Sequence, residues 1–350
     1  MLALAGLVVS TAAGAQQAQY TGNAQSVLVG SNTGETNSAS YIQPRSSYTG
    51  VANLWMRGNN ANNPVASGCT GSLLWTGRHI LTAAHCVSTG TNAVRDRFGT
   101  ARFRTSTGWQ DINWSSVTVQ AGYSGATLEE QDVAILTLDS EAGSAFERYN
   151  IHSGAVLGQK ARIGGYGRVG NGDTGDAFGS NQFNDNAQLR QGFNVFESTC
   201  RDDESCATAF GTPNTYGGIL LADMDRSGQS TAGFVCTILS FCNAGYTNNE
   251  EAAVGRGDSG SGAFNLGTNG IMGVASWGSS NDGLSLNQFG MDFGYACVAN
   301  NTGNARCQEN HDFVLRTVGP AVVIPEPSTY ALMATGLVAM GLVARRRRSV

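Results

Sequence analysis

The chain has 350 residues, of which 41% are hydrophobic and only 13% charged, with 47 glycines and a formal net charge of -5. No basic cluster occurs before the last few residues, which excludes the phosphate-neutralising surface that nucleic-acid binding needs. Gly, Ser, Thr and Asn crowd the spaces between short apolar runs, a pattern that argues against a helical bundle and predicts an all-β fold.

Leu2 to Val9 are apolar, and Ala13 and Ala15 fit the small-x-small rule of signal peptidase, so residues 1–15 read as a signal peptide cleaved before Gln16. Residues 16–47 are polar and without periodicity, as in a flexible leader or propeptide. Across residues 48–319 short apolar runs alternate with turn clusters. They are Gly50 to Met56, Gly71 to Val87, Val117 to Gln120, Val133 to Leu138, Ala161 to Tyr166 and Gly270 to Trp277, a spacing typical of sandwiches and barrels. Gly167 to Ala187, dense in Gly, Asn and Asp, predicts a long surface loop, and Cys200 to Glu251 an elaborated insertion. The eight cysteines contain no CxxC pair and no His at metal-ligand spacing, so disulfides are expected and no metal site is. Their close couples suggest Cys69 with Cys86, Cys200 with Cys206, Cys236 with Cys242 and Cys297 with Cys307, bonds that persist only outside the reducing cytoplasm.

The chain closes with Pro325-Glu326-Pro327, fifteen uncharged residues from Tyr330 to Ala344, and then Arg345 to Arg348. The apolar stretch is short against the ~20 residues of a permanent span, and the arginines would hold the C-terminus in the cytoplasm, as in a stop-transfer anchor. Residues 325–350 resemble the PEP-CTERM sorting signal of Gram-negative bacteria, which has these three features in this order. The resemblance implies transient inner-membrane anchoring, recognition by an exosortase, and release into the envelope or an extracellular polysaccharide matrix.

Three motifs carry chemistry. In Ile80-Leu81-Thr82-Ala83-Ala84-His85-Cys86 an apolar strand delivers a histidine between small residues, as a general base with an immobile backbone and an open face requires. In Gly257-Asp258-Ser259-Gly260 the backbone amides of Gly257 and Ser259 can both point at one carbonyl oxygen. Asp132 heads the apolar run Val133 to Leu138 and is the acid suited to orient His85. Thr82 to Cys86 resembles the histidine signature of chymotrypsin- and trypsin-like serine peptidases, Gly257 to Gly260 their serine signature, and Asp132 to Leu136 their aspartate strand. The order His, Asp, Ser is also theirs. Gly165-Tyr166-Gly167 and Ala275 to Gly278 add to the likeness.

The resemblance implies two six-stranded antiparallel β-barrels meeting at the site, a Cys69–Cys86 disulfide, and a His85, Asp132, Ser259 triad hydrolysing polypeptides without metal or organic cofactor. It further implies an oxyanion hole at Gly257 and Ser259, a substrate-binding edge at Ser276, Trp277 and Gly278, and a specificity pocket floored by Ala253. With Gly278 and Gly290 in its walls that pocket would take medium to large apolar side chains, unless Asp292 entered it from the opposite wall and admitted basic ones. Family members also pair a newly cleaved Ile-Val-Gly-Gly terminus with the aspartate before the serine, here Asp258. This chain offers only Val29-Gly30 or a cut after Arg45, so Arg256 and Arg162 are alternative partners for Asp258. A catalytically silent homologue, serving as a matrix-associated binding or structural protein, is the competing reading.

Overall fold

The computed structural model describes residues 28–30, 41–90, 93–125, 129–178, 183, 185–199, 218–225, 251–279 and 291–321. After the short strand β1 (Leu28–Gly30) come β2 (Val51–Met56), β3 (Ser67–Leu73), β4 (His79–Thr82), β5 (Gly99–Arg104), β6 (Trp109–Val119) and β7 (Ala134–Leu138), most of them buried along nearly their whole length. Along β6, by contrast, Ile112 and Trp114 point inward while Asp111 and Asn113 face water. Strands β2 to β7 close a six-stranded barrel in the order β2-β3-β4-β7-β6-β5. Its interior is filled by Leu54, Leu73, Ile80, Phe103, Trp114 and Leu136, all at most 1% exposed.

Ten further strands follow: β8 (Lys160–Gly165), β9 (Val169–Asn171), β10 (Gly175–Phe178), β11 (Arg190–Val195), β12 (Ser198–Thr199), β13 (Ile219–Asp223), β14 (Ala252–Ala253), β15 (Gly262–Asn265), β16 (Ile271–Gly278) and β17 (Asp292–Cys297). Seven of them form one sheet in the order β11-β8-β15-β16-β17-β13-β12, a half-barrel beside the closed barrel, in keeping with the expected all-β double-barrel class. The other three join β1 in a small sheet, β10-β9-β1-β14.

Gly167 to Ala187 is not simply a surface loop. It contains the β9–β10 hairpin, and Val169, Asn171 and Asp176 are buried. The Asn171 side-chain oxygen accepts from the backbone N–H groups of Asp173 and Thr174, so the Asn- and Gly-rich composition encodes a tight turn within a sheet. A terminal helix, α1 (Ala305–Val318), was not anticipated because its stretch is largely polar and its apolar positions are few. Asn304 caps its first turn, the Cys297–Cys307 disulfide ties it to β17, and Phe313 and Val314 join the core of the closed barrel. The chain divides into one unit ending at Gly319 and a second from Pro320. The expected signal peptide, the C-terminal tail, Cys200, Cys206, Cys236, Cys242 and Gly290 lie outside the described residues.

Candidate active site

Strand register brings the first two predicted residues together. Strands β4 and β7 pair with Thr82 opposite Ala134, so His85, just past the end of β4, meets Asp132, just before the start of β7. Asp132 is 3% exposed. Its Oδ1 accepts from the His85 backbone N–H at 2.8 Å and its Oδ2 from the ring Nδ1 at 2.7 Å. A carboxylate only accepts, so Nδ1 carries the proton and Nε2 keeps its lone pair. Ser276 Oγ donates to the same Oδ2 at 2.6 Å, a role for Ser276 that sequence reasoning, which read it only as part of the substrate edge, did not supply. Covering of the ring lowers the His85 pKa, but the charge and hydrogen bond of Asp132 outweigh this and raise it above 6.5, while Arg95 opposes them.

Ala83 and Ala84, fully buried, let the turn Ala84–Cys86 pack tightly. The Cys69–Cys86 disulfide then ties this turn to β3; closing a loop of its 17-residue separation stabilises a fold by about 3 kcal/mol. Arg95 holds the turn from the other side, donating from Nη2 to the Cys86 carbonyl at 2.6 Å and, more weakly, to that of His85 at 3.5 Å. Its Nε pairs with Asp96, a buried carboxylate that also accepts from the Gly58 N–H at 2.8 Å. Nothing in the spacing of the motifs marks Arg95.

Ser259 lies between β14 and β15. Its carbonyl accepts from the Thr70 N–H at 2.9 Å and lies 3.6 Å from Cys86 Sγ, which sets the serine against the histidine turn. Gly260, at φ 83°, allows this approach: a Cβ there would fall 2.0 Å from Thr82 Oγ1 and 2.4 Å from the Thr70 carbonyl. Gly260 N–H in turn donates to the Ala275 carbonyl on β16 at 2.8 Å. Among the described residues the His85–Asp132 and Asp132–Ser276 bonds are formed, whereas no hydrogen bond joins Ser259 Oγ to His85. Gly257 has φ 101°, and its carbonyl accepts from Thr70 Oγ1 at 3.0 Å.

Asp258 is completely buried. Its Oδ2 accepts from the Gly255 N–H at 2.8 Å and its Oδ1 from the Gly167 N–H at 2.9 Å. Burial pushes its pKa up to about 7, the two amides pull it down, and the Asp176 charge adds to the rise. Neither arginine proposed as its partner serves it. Arg256 is drawn to the buried Asp176, with Nη1 and backbone N–H each 2.9 Å from that carboxylate, and Arg162 stacks over Tyr48 and Phe193. Arg45, the residue before the other proposed cut, is tied by Nη1 to the Gly108 carbonyl at 2.9 Å and lies over Trp109.

Strand β1 pairs with the two segments whose amides hold Asp258. Leu28 pairs with Val169, two residues beyond Gly167, and Val29 pairs with Ala253, two residues before Gly255. Both amides that hold the Asp258 carboxylate therefore flank the start of β1. Of the residues expected to bind substrate, Ala253 is fully buried and Trp277 covers Gly294. Asp292 stands opposite Asp223 in the β13–β17 ladder. Burial and neighbouring carboxylates push Asp223 up to about 10 and Glu197 up to about 8.

The sequence profile of the trypsin family matches residues 43–289, and that of the PEP-CTERM protein-sorting motif matches residues 323–348. Among solved structures, HL collagenase is similar at 16% identity and a TM-score of 0.50, over 80% of this chain and 97% of that one. Neuropsin, a serine protease expressed in the limbic system of mouse brain, is similar at 18% identity and a TM-score of 0.49, over 74% and 93% respectively. No curated protein matches the chain.

Proposed function

Because the chain belongs to the trypsin family, we propose that it is an exported serine endopeptidase in which His85, Asp132 and Ser259 form the catalytic triad. The observation that carries this reading is the pair of hydrogen bonds from His85 to Asp132: the backbone N–H holds the residue in place, and the ring Nδ1 bond fixes the tautomer a general base needs. Ser259 Oγ attacks the scissile carbonyl while its proton passes to His85 Nε2. The Gly257 and Ser259 amides stabilise the oxyanion. The imidazolium, held by Asp132, protonates the leaving amine, and water repeats the sequence on the acyl-enzyme. The missing Ser259–His85 hydrogen bond is compatible with this, since catalytic hydrogen bonds often tighten only when substrate binds. An organophosphonate specific for reactive serines is expected to label Ser259 stoichiometrically, and an unlabelled, folded protein would favour the silent homologue instead.

The base must be neutral to act, so kcat/KM is expected to fall as pH drops through the His85 pKa, with a midpoint above 6.5. Arg95 holds that pKa down, so Arg95→Gln should move the acid limb to higher pH. A limb unmoved in this variant would show that the Arg95 charge does not reach the ring.

Activation follows from β1. A mature chain beginning at Leu28 would carry its α-ammonium next to the two amides that hold Asp258, favouring the ionised carboxylate that burial alone disfavours. N-terminal sequencing of the active protein is expected to return Leu28-Val29-Gly30; an active form beginning at Gln16 would overturn this assignment.

The PEP-CTERM motif implies processing by an exosortase. We take the signal peptide at residues 1–15, transient anchoring through residues 330–344 and release into the cell envelope or a surrounding polysaccharide matrix as the route that delivers the enzyme to its polypeptide substrates.

A further inference from the structure

We infer that Phe293 fills the specificity pocket, so that the enzyme cleaves after small residues (Ala, Gly or Ser) and not after large apolar or basic ones; this rests on the peptidase reading above. Strand β16 carries Ser276, bonded to Asp132, and two residues further on Gly278, at the edge proposed to receive substrate backbone. Gly278 stands directly opposite Phe293 on β17, and on the other side Phe293 stands opposite Ala222 on β13. The segment approaching Ser259 supplies Ala253 and Val254.

Ala222, Ala253, Val254, Ala275, Phe293 and Tyr295 all belong to one buried apolar cluster, and Phe293 itself is 0% exposed. Ala222, Ala253 and Ala275 contribute only methyl groups to this cluster, and Gly278, opposite Phe293, adds no side chain. Such trimmed walls leave room for one large group, and the chain supplies that group itself. The Phe293 ring is further braced by Tyr295, its centroid 6.2 Å away in an edge arrangement, and Tyr295 by Phe196 at 5.3 Å. A close-packed cluster of this kind yields little to an incoming phenyl or isobutyl group without expelling Phe293.

Basic side chains are disfavoured for a separate reason. Successive strand residues face opposite sides of a sheet, so Asp292 points away from the face that holds Phe293 and Tyr295. On that other face it stands opposite Asp223, whose carboxyl burial keeps protonated at neutral pH. The medium to large apolar preference expected from Ala253 with Gly278 and Gly290 thus gives way to a preference for small residues.

The test compares matched peptides carrying Ala or Phe before the scissile bond, with the active-enzyme concentration set by organophosphonate titration. The parent is expected to favour Ala by about 100-fold in kcat/KM, the discrimination that a pocket of the wrong size typically gives. Phe293→Ala should raise the Phe-to-Ala ratio by about the same factor. Equal cleavage after Phe and Ala by the parent, strong cleavage after Lys or Arg, or an unchanged ratio in a titratable Phe293→Ala protein would each overturn the inference. Should Phe293→Ala not fold, Phe293→Leu together with mass-spectrometric mapping of parent cleavage sites in a denatured protein decides it. Loss of the peptidase reading looks different: the parent would neither titrate nor cleave any peptide.

Discussion

Ser259→Ala is expected to lower kcat by about a million-fold while the protein remains folded, in line with the loss on removing a triad nucleophile. The variant loses one hydroxyl that forms no hydrogen bond among the described residues, whereas the serine backbone, which does bind Thr70, is untouched. Labelling by the organophosphonate should vanish with turnover. Residual hydrolysis would come from the oxyanion hole and substrate binding alone. Near-normal turnover in this variant would remove Ser259 from the mechanism and reopen the choice of nucleophile.

Asp132→Asn has the second largest expected effect, about ten-thousand-fold in kcat. The asparagine amide can donate to His85 Nδ1, which forces the proton onto Nε2 and leaves no lone pair facing the serine. The same change removes both influences that raise the His85 pKa, the Asp132 charge and its hydrogen bond. What remains, ring burial and Arg95, lowers it. The remaining activity should therefore show its acid limb displaced to lower pH than in the parent, opposite to the shift in Arg95→Gln. A pH–rate profile separates this outcome from simple misfolding, which would lower activity without moving the limb. Ser276→Ala makes a useful companion, since it removes one of the three hydrogen bonds to the Asp132 carboxylate and leaves its charge in place.

Much of this protein is encoded locally and can be read without coordinates. Thr82 to Cys86, Asp132 with its apolar run, and Gly257 to Gly260 suggest the proposed chemistry because acyl transfer needs these side chains on stiff, small-residue backbones. The alternation of apolar runs and turns marks an all-β fold, and close spacing pairs Cys69 with Cys86 and Cys297 with Cys307. Other features depend on residues far apart in the chain, brought together only by strand register. Ser276 reaches Asp132 across 144 positions, Asp176 rather than Asp258 captures Arg256, and β1 threads between β9 and β14. The pocket is the sharpest case. Ala253 read alone promises depth, whereas the pairing of Gly278 with Phe293 and the burial of Phe293 in one cluster with Ala253 underlie the inference of a filled pocket, because packing volume is a property of neighbours in the fold and not of any one position in the sequence.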